Sequence, residues 1–168
     1  MDQLTKSGIL GFKVGNFSDE RGQIVKAEIA LDTVFKPSQM LNVTNHYSNT
    51  LRGLHFQEEP FAEKKLIVCV KGSIFDVLIN RTTVLDSNPE VFEIFLGQDF
   101  DYQGLLVPAS FAHGYVTLSD GVELNYLMDL PFNSSKSDGY LWSDPKLKIN
   151  WPVTPKHISS RDQNWDLL

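Results

Sequence analysis

The chain has 168 residues, 42% of them apolar and 21% charged, with a formal net charge of −6. A chain of that length builds a full core as one domain, and its ordinary Gly and Pro content excludes disordered, collagen-like and low-complexity classes. Fifteen Lys and Arg against 21 Asp and Glu, with no basic run, exclude general nucleic-acid and anionic-membrane binding.

The first segment, Met1-Asp2-Gln3-Leu4-Thr5-Lys6-Ser7, has no apolar signal core. No apolar run reaches the roughly 18 residues of a membrane helix. The expectation is a single domain over residues 1–168, soluble and cytoplasmic. Gly8-Ile9-Leu10-Gly11 lacks the dinucleotide fingerprint, and the chain carries no phosphate loop or nucleophile elbow. The carboxylate pairs Asp19-Glu20 and Glu58-Glu59 read as solvated surface rather than acid–base dyads.

Residues 23–31, 65–70, 73–80, 91–96 and 112–118 are rich in Val, Ile, Phe and Tyr, and turn residues separate them. No stretch of about 12 residues or more keeps a helical period with recognisable caps. Short strands about ten residues apart predict a sandwich, jelly roll or barrel. Cys69, the single cysteine, excludes an internal disulfide; in the apolar run 66–70 it reads as a buried, inert thiol. Asp120-Gly121 between two strand-like runs predicts a hairpin pairing Ser119 with Val122, Thr117 with Leu124 and Tyr115 with Tyr126. His113, Tyr115, Leu124, Tyr126 and Met128 then share one face. His113 becomes a diagonal neighbour of Tyr126 at roughly 7–8 Å. That face is read either as the lining of a pocket or as amphipathic side chains filling a barrel core.

The four histidines are His46, His55, His113 and His157. His55 lies in Leu51-Arg52-Gly53-Leu54-His55-Phe56-Gln57, which sets a guanidinium, an imidazole and an amide close together. Strict alternation puts Arg52 and His55 on opposite faces, and a bulge at Gly53 returns them to one site. A metal-holding barrel would offer His-x-His and a nearby carboxylate; here Phe56 and Gln57 follow His55. No catalytic metal is expected.

Several further segments appear in order. They include Ser18-Asp19-Glu20-Arg21-Gly22, Lys65-Leu66, the block from Lys71 to Val77, Val107-Pro108-Ala109-Ser110-Phe111-Ala112-His113-Gly114, and Glu123-Leu124-Asn125-Tyr126. Near the C-terminus come Trp142-Ser143-Asp144-Pro145, Ile149-Asn150-Trp151-Pro152 and Ser159-Ser160-Arg161-Asp162. Together with the Arg-Gly-Leu-His-Phe-Gln block they resemble the dTDP-4-dehydrorhamnose 3,5-epimerase family of sugar-nucleotide epimerases. The resemblance implies an all-β fold, a cupin-type jelly-roll barrel with a short irregular or helical C-terminal segment. It implies a cofactor-independent epimerase of an NDP-4-keto-6-deoxyhexose in deoxysugar biosynthesis, inverting C3, C5 or both through an enolate.

By the same resemblance His55 is the general base, Asp162 its partner, Tyr126 the acid on the opposite face and Lys65 the holder of the enolate oxygen. His113 occupies the active site, Arg52 and Arg21 hold the diphosphate, and Asn45, Gln57 and Phe17 contact substrate. The family implies a homodimer whose N-terminal strands cross into the partner's sheet. The set suits the chemistry: a proton beside a ketone leaves only if a base meets the carbon and a donor holds the oxygen, and inversion needs an acid on the far face. The chain departs from the family at Lys26, at Val43 and at Leu130-Pro131-Phe132, where members are tyrosine-rich. Two other functions fit the fold, a sugar-nucleotide 3,4-ketoisomerase and a non-catalytic sugar-nucleotide-binding cupin. The presence of His55, Tyr126 and Asp162 favours the epimerase.

Overall fold

A computed structural model describes residues 1–27 and 35–168. In chain order the strands are β1 (Asp2–Gln3), β2 (Leu10–Phe12), β3 (Val14–Asp19), β4 (Gly22–Ala27), β5 (Gln39–Asn45), β6 (Thr50–Gln57) and β7 (Lys65–Lys71). They continue as β8 (Ser73–Asn80), β9 (Val91–Gly97), β10 (Gly104–Val107), β11 (Phe111–Thr117), β12 (Val122–Met128), β13 (Ser137–Gly139) and β14 (His157–Ile158), before one turn of helix, α1 (Ser160–Gln163). The expected strands are present. Residues 28–31 of the first lie outside the described residues. No helix among the described residues is long and apolar enough to cross a membrane.

Two sheets face one another. One runs β1-β2-β10-β7-β12-β5; the other runs β13-β6-β11-β8-β9, with β14 parallel to β6. The alternation of β7 explains the layering: Ile67 and Cys69 join the cluster between the sheets, whereas Leu66 and Val68 join another with Phe12. Ile67, Leu105 and Leu124 of the first sheet meet Ile74, Leu78 and Phe111 of the second in that interior. The second sheet is also covered outside. Phe56, Phe75, Val77 and Val116 cluster with Tyr140, Leu147, Ile149 and Trp151 of the C-terminal segment. Hence β11 is buried at every position, and an alternating pattern could not reveal it. Burial pushes the Cys69 thiol up to about 12, helped by the Asp76 charge, in line with an inert thiol.

The predicted hairpin is overturned. β11 pairs with β6 and β8, while β12 pairs with β5 and β7 in the other sheet. Asp120-Gly121 is a turn, but one that carries the chain between sheets. Gly121 has φ +66° and donates its N–H to His46 O at 3.2 Å; Asp120 Oδ1 accepts the Ser48 N–H at 2.6 Å. The turn chemistry is therefore anchored to the end of β5. Each strand gains two ladder neighbours in place of the single hairpin partner.

The bulge at Gly53 is present. His113 pairs with His55 and Tyr115 with Arg52, so three steps on β6 oppose two on β11. Gly53 sits at φ +129°, and a Cβ there would collide with Gly114 Cα. Only glycine allows the two backbones this approach.

Candidate active site

The bulge turns Arg52 and His55 to the same side, and both line a cavity of about 780 Å³ that opens between the sheets. Gln57, Lys65, His113, Tyr126 and Asp162 line it too, so most of the sequence-derived set converges. His55 comes from β6, whereas Tyr126 and Lys65 come from the facing sheet on β12 and β7.

His55 Nε2 stands 2.6 Å from Asp162 Oδ1. Asp162 reaches it from α1, whose N-cap Ser159 accepts the Asp162 N–H at 3.1 Å. The other carboxylate oxygen accepts the Gly53 N–H at 3.3 Å. Burial opposes ionisation of Asp162, but His55, Gly53 and Ser159 outweigh it and hold the carboxyl below its ordinary value. The imidazole is 39% exposed on the cavity side while its carboxylate partner is 5% exposed. A half-open imidazole with an ionised partner behind it is equipped to take a proton from a ligand.

A second imidazole–carboxylate pair lies deeper. His113 Nε2 is 3.0 Å from Asp76 Oδ2 and 2.9 Å from Oδ1, and its ring meets Tyr126 edge-on at 5.9 Å between centroids. The neighbourhood of His113 and Tyr126 is thus present across the barrel interior, without the hairpin that predicted it. Burial raises the Asp76 pKa against the pull of His113. Tyr126 is pushed well above the ordinary phenol value, chiefly by burial and then by Tyr115 and Asp76, so its hydroxyl keeps its proton at neutral pH.

Lys65 Nζ is 2.7 Å from Glu63 Oε1, and Gln57 Nε2 donates to Glu63 Oε2 at 2.9 Å. Arg52 Nε donates to Asn45 Oδ1 at 2.8 Å. Asn45 is buried behind the arginine and holds it in place, rather than lining the cavity. Arg21 and Phe17 stand apart. They lie on the β3–β4 ribbon around a separate hollow with Ile24, and Arg21 Nη2 is 2.5 Å from Asp19 Oδ2. Within one chain they do not reach the cavity.

Sequence reasoning missed Asp76 and Glu63, and it named Tyr115 only as a neighbour of His113 and Tyr126 on one face; Tyr115 lines the cavity. Asp76 left a signal as the one carboxylate inside the apolar run 73–80. Glu63 lies two positions before Lys65, a weaker cue. Val43 and Phe132, two of the departures, both line the cavity. Among the described residues no three His, Cys, Asp or Glu side chains converge as a metal-ligand set.

The dTDP-4-dehydrorhamnose 3,5-epimerase family model matches residues 3–168. The chain belongs to that family. It is 33% identical over 165 residues to the dTDP-4-dehydrorhamnose 3,5-epimerase of Shigella flexneri, covering 93% of this chain and 88% of that protein. It is 31% identical over 161 residues to the enzyme of the same name from Methanothermobacter thermautotrophicus, covering 90% and 85%. The crystal structure of the Bacillus anthracis epimerase, with TDP and PPi bound, superposes with a TM-score of 0.79 at 30% identity, over 96% of this chain and 93% of that one. The two facing sheets are therefore the cupin-type barrel of these epimerases.

Proposed function

We propose that the chain epimerises a dTDP-linked 4-keto-6-deoxyhexose beside its ketone, through an enolate. The observation that carries this is that His55 of β6, paired with Asp162 of α1, and Tyr126 of β12 in the facing sheet line the same cavity. His55 takes the proton from the carbon next to the carbonyl. Lys65 donates to the oxygen on which the charge settles, and Tyr126 returns a proton to the opposite face. A positioned base contributes about 10²–10⁴-fold, and a donor at the developing oxyanion about 10²–10³-fold. Arg52 takes the diphosphate, for which a guanidinium fork is suited. The thymidine nucleotide is favoured by the names of the relatives and by the TDP in the Bacillus anthracis structure.

The working unit is a homodimer in which the β3–β4 ribbon crosses to the partner. Among the described residues the ribbon pairs with neither sheet; it exposes Phe17 and Ile24, while Met40 and Leu41 lie exposed on β5 at the sheet edge. A ribbon laid on that edge covers both apolar faces and pairs the edge of β5 that is left open among the described residues. It would also carry Arg21 and Phe17 to a cavity that lacks them.

The test is incubation with dTDP-4-keto-6-deoxyglucose in D₂O, followed by NMR. Deuterium entering beside the ketone with inversion at C3, C5 or both is the expected result. Movement of the carbonyl from C4 to C3 would identify a ketoisomerase, and an unchanged sugar a binding protein.

A further inference from the structure

Glu63 lies at the wall of the cavity, and the proposed proton transfers leave it without a task. It is 5% exposed. Its Oε1 is 2.7 Å from Lys65 Nζ, and its Oε2 accepts from Gln57 Nε2 at 2.9 Å. The Gln57 amide is itself fixed. Its nitrogen also donates to Phe61 O at 3.0 Å, and its oxygen accepts the Asn133 N–H at 2.5 Å. Carboxylate and carbonyl oxygens only accept and a backbone N–H only donates, so these partners allow the amide one orientation. Gln57 is 3% exposed, and its polar atoms are committed to the protein rather than to a ligand.

A buried ion pair adds little to stability, because taking both charges out of water offsets their attraction. What this pair does fix is the place of the ammonium. A lysine head sits on a flexible four-carbon stem and turns its three donors freely. In an occupied cavity the diphosphate is the strongest negative charge, and an unheld ammonium would swing to it. Glu63 engages one donor and leaves the others for the sugar. When His55 takes the proton, the electron pair of the C–H bond moves onto the carbonyl oxygen. An ammonium already in place meets that charge without first reorganising. The chemistry at position 63 is specific, because its two oxygens face two donors. An amide there has one acceptor and would turn its own N–H groups toward either Lys65 or Gln57.

We propose that Glu63, braced by Gln57, is a positioning residue for Lys65 that keeps the ammonium at the enolate oxygen and away from the diphosphate. The proposal rests on the epimerase reading with Lys65 as the holder of that oxygen. It assigns Gln57 to the brace instead of to substrate contact.

The experiment measures deuterium wash-in by NMR with dTDP-4-keto-6-deoxyglucose in D₂O, and TDP affinity by calorimetry, in Glu63→Gln, Lys65→Met and the double variant. The maximal wash-in rate should fall about 10²-fold in Lys65→Met and about tenfold or more in Glu63→Gln. KM and TDP affinity of Glu63→Gln should be no weaker than the parent's by more than about threefold. On the Lys65→Met background Glu63→Gln should add less than about twofold, because its effect passes through the lysine. Glu63→Asp keeps the charge and should wash in faster than Glu63→Gln. A parental rate in Glu63→Gln, an undiminished loss on the Lys65→Met background, TDP binding lost along with the rate, or Glu63→Asp no faster than Glu63→Gln would overturn the role. Parental wash-in by Lys65→Met would instead overturn the assignment of Lys65, and no wash-in by the parent enzyme the epimerase reading; the role of Glu63 falls with either.

Discussion

His55 and Asp162 lie 107 positions apart in the chain, and their side chains meet at 2.6 Å. The imidazole belongs to a strand of the barrel, whereas the carboxylate arrives on the single turn of α1 that closes the C-terminal segment. The division sets different expectations for the two residues. His55→Asn should abolish deuterium exchange beside the ketone, a loss of about 10²-fold or more, while nucleotide affinity stays nearly intact. Asp162→Asn should cost less, because an orienting partner is lost rather than the base. Calorimetric titration with TDP alongside the exchange assay checks both; exchange by His55→Asn at the parental rate would remove the imidazole from the mechanism.

Asp162 also predicts a pH dependence of stability. Its folded-state pKa is lowered, so the native state binds this proton less readily than the unfolded chain. The associated stabilisation is present above the ordinary aspartate pKa of about 3.9 and is lost as pH falls through the lower folded value. Urea midpoints of the parent and of Asp162→Asn should therefore converge as the pH drops below about 4. A difference that stays constant through that range would show that the carboxylate's charge is not involved.

Metal independence is a separate expectation. His55 has no ligand partner two positions on, and His55 and His113 are each engaged by a carboxylate on Nε2. Exhaustive EDTA treatment should leave turnover unchanged. Stoichiometric zinc or iron in the purified protein, with activity restored by adding it back, would reverse the reading.

The two carbons beside the ketone should invert at unequal rates, with C5 the faster. Phe132 lines the cavity and has no proton to offer. Pro131, whose carbonyl accepts from Gln57 at 3.4 Å, stiffens the approach. Deprotonation by His55 needs nothing from that segment, so C3 should show deuterium wash-in with retention while C5 inverts. Phe132→Tyr should narrow the ratio. Equal inversion in the parent enzyme would make the departure after Tyr126 silent.

Gly53→Ala tests the backbone that brings base and arginine together. The methyl meets Gly114 and the backbone sits at φ +129°, so a loss of about 2–4 kcal/mol is expected, with activity falling alongside. A parental denaturation midpoint would mean that the bulge tolerates a side chain.

Much of this protein was legible before folding. Alternating and continuous apolar runs mark the strands because a sheet repeats every two residues, and that pattern placed 65–70, 73–80, 91–96 and 112–118 correctly. Gly53 was legible for a local reason, since only a bulge reconciles Arg52 with His55. The motif blocks named the family because they list chemical groups that one reaction needs. Which strands pair was decided only in three dimensions. Asp120-Gly121 has the chemistry of a hairpin turn, yet β11 is buried on both faces and must be covered by strands and by the C-terminal segment, so the turn became a crossing between sheets. The contacts of Asp76 with His113 and of Tyr115 with Asn45 join residues far apart in sequence. A chain pattern records which face a residue takes; only the packed barrel decides which group stands across from it.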